Sequence, residues 1–355
     1  MKILDLYIGT RFLRGVFLIV LVLVALFSFL ELVSQLSDVG KGYYTLKDAF
    51  IFVGLTLPRR VLDLMPICTL LGSIVALGLL ADHRELLAMQ VGGFSVRRIC
   101  WSVFISGTIL ILATGMLAEI VVPPMDQQAR TRRLLALNGK RVTLTKQGFW
   151  ARRGSSYIHV GKTLYGGNAA DLNIFECDEQ GRLRSYTHAR EANIKDNNQW
   201  VLRGITQKVI TEQGITTQHL PSLKLDSFLS SDQVNILELP PDSLSSADLH
   251  HFIQALKESG QNTDRYSLAF WRKLTIPLTT GAMVLLSLPF LFGSTRRKGA
   301  GKRITLGATI GIVLYFADQV MIHLGLLFSL NPFVTAVVPV VSISSIALWQ
   351  MRRFT

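Results

Sequence analysis

Cations set beside apolar runs are the side chains of this chain best placed to do chemistry. Arg59, Arg60 and Asp63 lie near the outer end of one apolar run, Arg130, Arg132 and Arg133 lie just past another, and Arg272 and Lys273 open a third. A guanidinium pairs bidentately with phosphate, so such residues could cradle an anionic headgroup. Charges in or beside a membrane are costly and usually face a cavity or a partner. The other reading is snorkelling, or pairing with local acids such as Asp63 and Asp126. Both readings are open at this stage.

A second candidate is the amphipathic stretch from Leu79 to Arg98, between two long apolar runs. Asp82 can cap a short helix with Glu85 in its first turn, where acids suit the positive end of the helix dipole. Leu86, Met89 and Gln90 recur at helical spacing, Gly92-Gly93 stops the helix, and Ser95 can cap the next. A short helix held between two spans can carry force from a soluble partner into a membrane. It can also be an ordinary loop helix.

Other combinations carry less. Gly161-Lys162-Thr163 resembles the end of a phosphate-binding loop, but Ser156 occupies the position of its first glycine and the segment sits among strands. No nucleotide site is expected. His250-His251 and the scattered histidines lack metal-ligand spacing, so no metal site is expected either. No Ser, His and Asp pattern stands out, and the chain is not expected to be an enzyme. Asp318, Gln319 and His323 fall mid-span; a hydrogen bond between helices is the favoured reading.

The elements that position these residues are mostly membrane spans. Apolar residues make up 49% of the 355, and mean hydropathy is positive. That combination indicates a membrane protein. The net charge of +13 gathers beside apolar runs, a footprint of topology and not of a nucleic-acid groove. The three cysteines are far apart in sequence and imply no disulfide framework. Nothing like a small-residue cleavage site follows the first apolar run, so it is expected to stay as an anchor.

Six spans are predicted: Val16 to Val33, about Phe50 to Leu80, Ile99 to Val122 ended by Pro123-Pro124, Leu274 to Phe292, Ile304 to Leu327 and Phe333 to Met351. Between the third and fourth lie short alternating segments at 157–160, 172–177, 200–205 and 208–211, which read as an antiparallel all-β domain, sandwich or jelly roll. A short helix follows from Ser246 to Gly260. The blocks are therefore 1–124 (three spans and a helix at about 82–93), 125–265 (β domain and connecting helix) and 266–355 (three spans). Basic clusters at the N-terminus, around Arg97, around Arg297 and at Arg352 fall on one side, the cytoplasm by the positive-inside rule. The β domain then faces the periplasm of a bacterium.

Several motifs occur in a telling order. They are Leu4-Asp5-Leu6-Tyr7-Ile8-Gly9, Arg84-Glu85-Leu86 with Met89-Gln90 and Gly93-Phe94, Gln147-Gly148-Phe149-Trp150, Leu249-His250 to Ser259-Gly260-Gln261, Arg265-Tyr266, Trp271 with Lys273, and Asp318-Gln319. With the three-span, domain, three-span plan, this order resembles the LptF/LptG permeases, the membrane subunits of the bacterial lipopolysaccharide-transport ABC exporter. The resemblance runs nearly end to end.

The resemblance implies a division of labour. Two copies of an LptB-like cytoplasmic ATPase, which uses ATP and Mg, would bind this chain and an LptF-like partner permease. Asp82, Arg84, Glu85, Leu86 and Met89 would form the coupling contact here, with Glu85 as its acidic member. The chain itself would hold no cofactor. Lipopolysaccharide would leave the outer leaflet of the inner membrane through a cavity between the first and fifth spans. It would then pass to a periplasmic jelly-roll bridge, and an LptC-like single-span protein would gate its entry and continue the bridge. Arg130 and Arg133 match basic positions at the cavity rim in this family, and Arg59 and Arg60 would supply further headgroup cations. Family members can carry lysines at the outer end of the first span, where this chain has Glu31, Ser37 and Asp38. Glu31 and Asp38 could instead act through divalent cations. The competing functions are a membrane-anchored periplasmic scaffold and an ABC permease that transmits motion without moving lipid.

Overall fold

The computed structural model describes residues 2–138, 149–153, 156–164, 168–178, 180, 182–195, 199–211, 214–226, 240–258, 262–292 and 300–352. Its helices are α1 (Lys2–Leu36), α2 (Leu46–Asp82), α3 (Glu85–Val91), α4 (Val96–Met116), α5 (Val122–Asn138), α6 (Ser246–Glu258), α7 (Asp264–Phe292), α8 (Ala300–Leu327) and α9 (Pro332–Met351). Among the described residues, six strands lie between α5 and α6: β1 (Phe149–Arg153), β2 (Ser156–Leu164), β3 (Asn168–Cys177), β4 (Leu183–Lys195), β5 (Gln199–Thr211) and β6 (Gly214–Asp226). Apolar helices plus a β domain are the expected fold class.

Among the described residues, five helical runs are long and apolar enough to cross a membrane: Ile3–Leu36, Leu46–Asp82, Val96–Leu137, Thr305–Leu327 and Pro332–Met351. The fourth predicted span is helical within the 29-residue α7. At about 1.5 Å per residue it has the length to cross. Arg272, Lys273 and Thr275 in its first half, with Thr279 and Thr280 just past its middle, dilute its apolar character. The third predicted span does not end at Pro123-Pro124. A π-helical turn, Leu117–Val121, leads into α5, which runs on to Asn138. The two prolines fall directly after this π-helical turn, inside one continuous helical run, Val96–Leu137.

The chain divides into two compact units, residues 1–35, 53–126 and 264–355 in one and 36–52 with 127–263 in the other. In the first unit α1 buries a stripe at i, i+4 spacing, Ile8, Phe12, Val16 and Val24. Its backbone meets α2 across small residues. A Cβ on Gly72 would collide with the Val16 backbone, and one on Gly15 with Ala76. Residues 36–52, which the sequence places in the block 1–124, pack in the second unit. There Tyr43 N–H donates to the Ala136 carbonyl at 2.8 Å, and Gly42, at φ +58°, leaves no room for a Cβ beside Leu137.

The six strands pair antiparallel in chain order as one meander. A row of directly opposed positions, Gly161, Asp171, Arg190, Gly204 and Pro221, interrupts every ladder from β2 to β6. Asp171 and Gly204 adopt left-handed φ values of 59° and 63°. On one side of this row the nearest buried positions are Val160, Leu172, Ala189, Ile205 and the partly buried Leu220; on the other they are Ala169, Ala192, Leu202 and the partly buried Leu223. Inward residues on the two sides are three apart, so the alternation slips by one along the whole line. The slip bends each long strand, and one core cluster forms from both halves. Segments 200–205 and 208–211, read separately from sequence, are one strand, β5, with its bend at Gly204. A Cβ at Gly204 would sit 3.3 Å from the Arg190 side chain. Gly204→Ala is therefore expected to cost about 1–2 kcal/mol through the left-handed backbone alone, seen as a lower melting midpoint of the purified chain.

Candidate coupling helix and cation sites

Glu85 opens α3. Asp82, expected as its cap, instead closes α2. The chain turns at Arg84 in the left-handed region, φ 59°, so Arg84 takes the cap position without a capping side chain. The other end follows the sequence expectation. Gly93 has φ 89°, Phe94 N–H donates back to the Met89 carbonyl at 2.9 Å, and the Ser95 hydroxyl accepts from Arg98 N–H.

Leu86 is buried in a cluster with Ile8, Phe12, Leu80, Ile99, Val103 and Val284, and Met89 packs against it. These contacts tie α3 to α1, α2, α4 and α7. The N-terminal stretch braces the insert with polar bonds as well. Tyr7 Oη–H donates to Glu85 Oε2 at 2.9 Å. Asp5 Oδ2 accepts from Arg98 Nη2 at 3.1 Å, and Asp5 Oδ1 accepts from the Ser102 hydroxyl at 2.6 Å. Two sequence motifs far apart in the chain, around Tyr7 and around Glu85, thus form one joint.

The opposite side of α3 is bare. Leu87 is 44% exposed and Val91 83%, with Ala88 exposed between them. The sequence reading did not single these residues out. The signal was present: with Leu86 and Met89 facing inward, Leu87, Ala88 and Val91 form a second apolar face. A helix apolar on both sides needs cover on both. Of the five residues expected at this contact, Asp82 and Arg84 are exposed, Glu85 is half-buried against Tyr7, and Leu86 and Met89 point into the protein.

The predicted headgroup cations are divided between the units, Arg59 and Arg60 in the first, Arg130 and Arg133 in the second. Three of them pair with acids. Arg59 Nη1 lies 3.5 Å from Asp126 Oδ2 and its Nε 3.7 Å from Asp63 Oδ2. Arg60 reaches Glu31 Oε2 at 3.5 Å and donates to the Ser28 hydroxyl at 3.1 Å. Arg133 Nη2 donates to Asp38 Oδ2 at 2.6 Å, with its guanidinium 5.4 Å from the Phe52 ring centroid. Lys273 similarly lies 3.3 Å from Glu119. Pairing with local acids is therefore what these cations do here, and Glu31 and Asp38 are among the partners.

Hydrogen bonds from Lys41 first, then from Arg133, hold the Asp38 carboxyl below the usual carboxylate range. A depressed folded-state pKa contributes stability that is complete above the unfolded value, about 3.9. That stability is lost as pH falls through the lower folded value. A carboxyl titration followed by NMR is expected to place Asp38 below a free aspartate. Asp38→Asn should remove that part of the acid sensitivity of melting.

The remaining motifs settle into structural places. Asp318 and Gln319 line a narrow cavity of about 50 Å³ with Asp63 and Arg272. His323 Nδ1 lies 2.7 Å from the Gln319 carbonyl on its own helix, so its bond is not one between helices. Gly161 sits on the bend line of the sheet, not in a turn from strand to helix. In α6, Ser245 and Asp248 cap each other, while Ser259 and Gly260, expected to close that helix, lie outside the described residues. Gln147, Gly148 and the basic run around Arg297 lie outside them too.

Comparison with known proteins follows the same outline. The family model described as lipopolysaccharide export system permease LptF/LptG matches residues 6–353. The lipopolysaccharide export system permease protein LptG of Haemophilus influenzae is 34% identical over 352 residues, covering 99% of this chain and 98% of the relative. LptG of Escherichia coli K12 is 31% identical over 353 residues, with the same coverage. The match takes in the braced insert, the bent sheet and the apolar helices alike, and the chain belongs to the LptF/LptG family of lipopolysaccharide export system permeases.

Proposed function

We propose that this chain extracts lipopolysaccharide from the outer leaflet of the inner membrane and passes it to a periplasmic jelly-roll bridge. ATP hydrolysis in a separate cytoplasmic subunit drives the step. The observation that carries this reading is the two-sided α3. Leu86 is anchored among four helices, while Leu87, Ala88 and Val91 are left bare. Such a helix seats in a partner's groove and moves the helices beneath it. The partners are an LptF-like permease, two LptB-like ATPases and an LptC-like single-span protein. The basic ends of the apolar helices orient α3 to the cytoplasm and the β domain to the periplasm.

Headgroup binding by Arg59, Arg60, Arg130 and Arg133 is part of the proposal. A guanidinium has five donors, so a carboxylate partner leaves some of them available to phosphate. The acid pairing of Arg59, Arg60 and Arg133 also supports a second reading, a permease that transmits motion and holds no lipid. Photo-crosslinkers at Leu30 of α1 and Leu324 of α8, both exposed, decide between them. ATP-dependent capture of lipopolysaccharide is expected. No capture at either position would leave the motion-only reading. Arg59→Ala with Arg60→Ala should weaken capture, and unchanged capture would remove these two from the headgroup site.

A further inference from the structure

A cavity of about 460 Å³ opens between α1 and the end of α2, lined by Arg11, Arg14, Leu18, Val75, Leu79 and His83 among others. Its two guanidiniums differ from the arginines above. Among the described residues neither Arg11 nor Arg14 has a carboxylate partner; Arg11 only lies over the Tyr7 ring, 5.1 Å from its centroid. Glu85 also lines the cavity; its Oε2 accepts from the Tyr7 hydroxyl and its Oε1 lies 4.0 Å from His83 Nδ1. Arg11, Arg14 and Leu18 recur at i, i+3 and i+7 on one side of α1. The arginines precede the apolar run that begins at Val16, and Leu18, Val75 and Leu79 lie within apolar sequence. Cations therefore stand at headgroup level above apolar walls.

We propose that this cavity seats the phosphodiester headgroup of an anionic phospholipid. Arg11 and Arg14 hold the phosphate, and Leu18, Val75 and Leu79 meet the first carbons of the acyl chains. A basic pocket between spans on the cytoplasmic side fits such a headgroup by charge, and its volume lies in the range of small-molecule sites. A free phosphate would leave the apolar walls uncovered. A soluble protein segment would have to place an acid and an apolar side chain at once below the membrane edge. The cytoplasmic leaflet follows from the orientation proposed above, and the lipid assignment does not depend on it. An occupied seat would brace the Tyr7–Glu85 joint from the side, since Glu85 lines the same cavity.

Native mass spectrometry of the isolated full chain, given equal phosphatidylglycerol and phosphatidylcholine, tests the seat. Phosphatidylglycerol is expected to be retained in excess. Arg11→Gln with Arg14→Gln should cut that excess about tenfold or more, the scale of one charge-assisted hydrogen bond. No preference in the wild type, or an unchanged preference in the double variant at an unchanged melting midpoint, overturns the proposal. If the double variant fails to fold, Arg14→Lys keeps the charge without the fork and should still reduce retention; unchanged retention there overturns it as well. Excess inorganic phosphate that displaces the lipid completely would make this a phosphate site and refute the lipid assignment. A crosslinker at Leu79 that captures a soluble protein in cells instead of phospholipid would refute it too. Retention is read without ATPase or lipopolysaccharide, so its failure leaves the export reading standing, and a failure of export leaves the seat standing.

Discussion

Leu87→Asp combined with Val91→Asp is expected to abolish co-purification of the cytoplasmic ATPase while the chain keeps its melting midpoint. Both side chains are exposed, and neither belongs to the core cluster beneath α3. Substituting them therefore removes no internal packing. At a docked interface, a central apolar anchor is worth about 2 kcal/mol or more, roughly thirtyfold in affinity for each. Two carboxylates placed there would also be buried unpaired on docking. Leu86→Asp supplies the contrast. Leu86 is 4% exposed, so the new charge would sit inside the cluster and lower the melting midpoint itself. Retention of the ATPase by the Leu87→Asp, Val91→Asp variant at an unchanged melting midpoint would mean that α3 has no outward docking face.

Trp200→Ala is expected to destabilise the β unit by about 3–5 kcal/mol, the range for a large aromatic deleted from a core. Trp200 is 1% exposed and sits in the cluster that both halves of the bent sheet share. The effect should appear as early proteolysis between β1 and β6 while the apolar helices remain protected, because the two units have separate cores. Tyr157→Ala on the same sheet is the control. Tyr157 is 36% exposed and should cost far less. Equal protease sensitivity of both variants would show that the bend does not close a real core.

The apolar helices and the turn that ends the insert were legible in the sequence because each rests on local rules. Long apolar runs set the spans, and Gly92-Gly93 and Ser95 set the end of α3 and the start of α4. Strands β4 and β6 were not legible. In β4 the inward residues on the two sides of the bend are Ala189 and Ala192, three apart, with exposed Arg190 and Glu191 between them. No period of two survives that slip, and small inward residues give a weak apolar signal. β6 is mostly exposed and carries Pro221 on the bend line. Its pairing comes from β5 and not from its own composition.

The cation site was half legible. Residue type and position marked Arg59, Arg60 and Arg133, but which charge each would meet depends on contacts far apart in the chain. Arg60 to Glu31 joins α2 to α1, and Arg133 to Asp38 joins α5 to the turn after α1. The coupling helix shows the same limit. Inward-facing Leu86 and Met89 were read with Asp82, Arg84 and Glu85 as one contact because apolar periodicity does not say which side is already covered. Only the burial of Leu86 and the exposure of Val91 distinguish the two sides.

The most direct measurement is a gentle-detergent pull-down of the tagged chain, with bound proteins and lipids identified by mass spectrometry. The export reading predicts a cytoplasmic ATPase, a sister permease and lipopolysaccharide together, with the ATPase alone lost on Leu87→Asp with Val91→Asp. A chain that comes down alone with ordinary phospholipid would contradict it and leave a membrane-anchored scaffold that shares the family's fold.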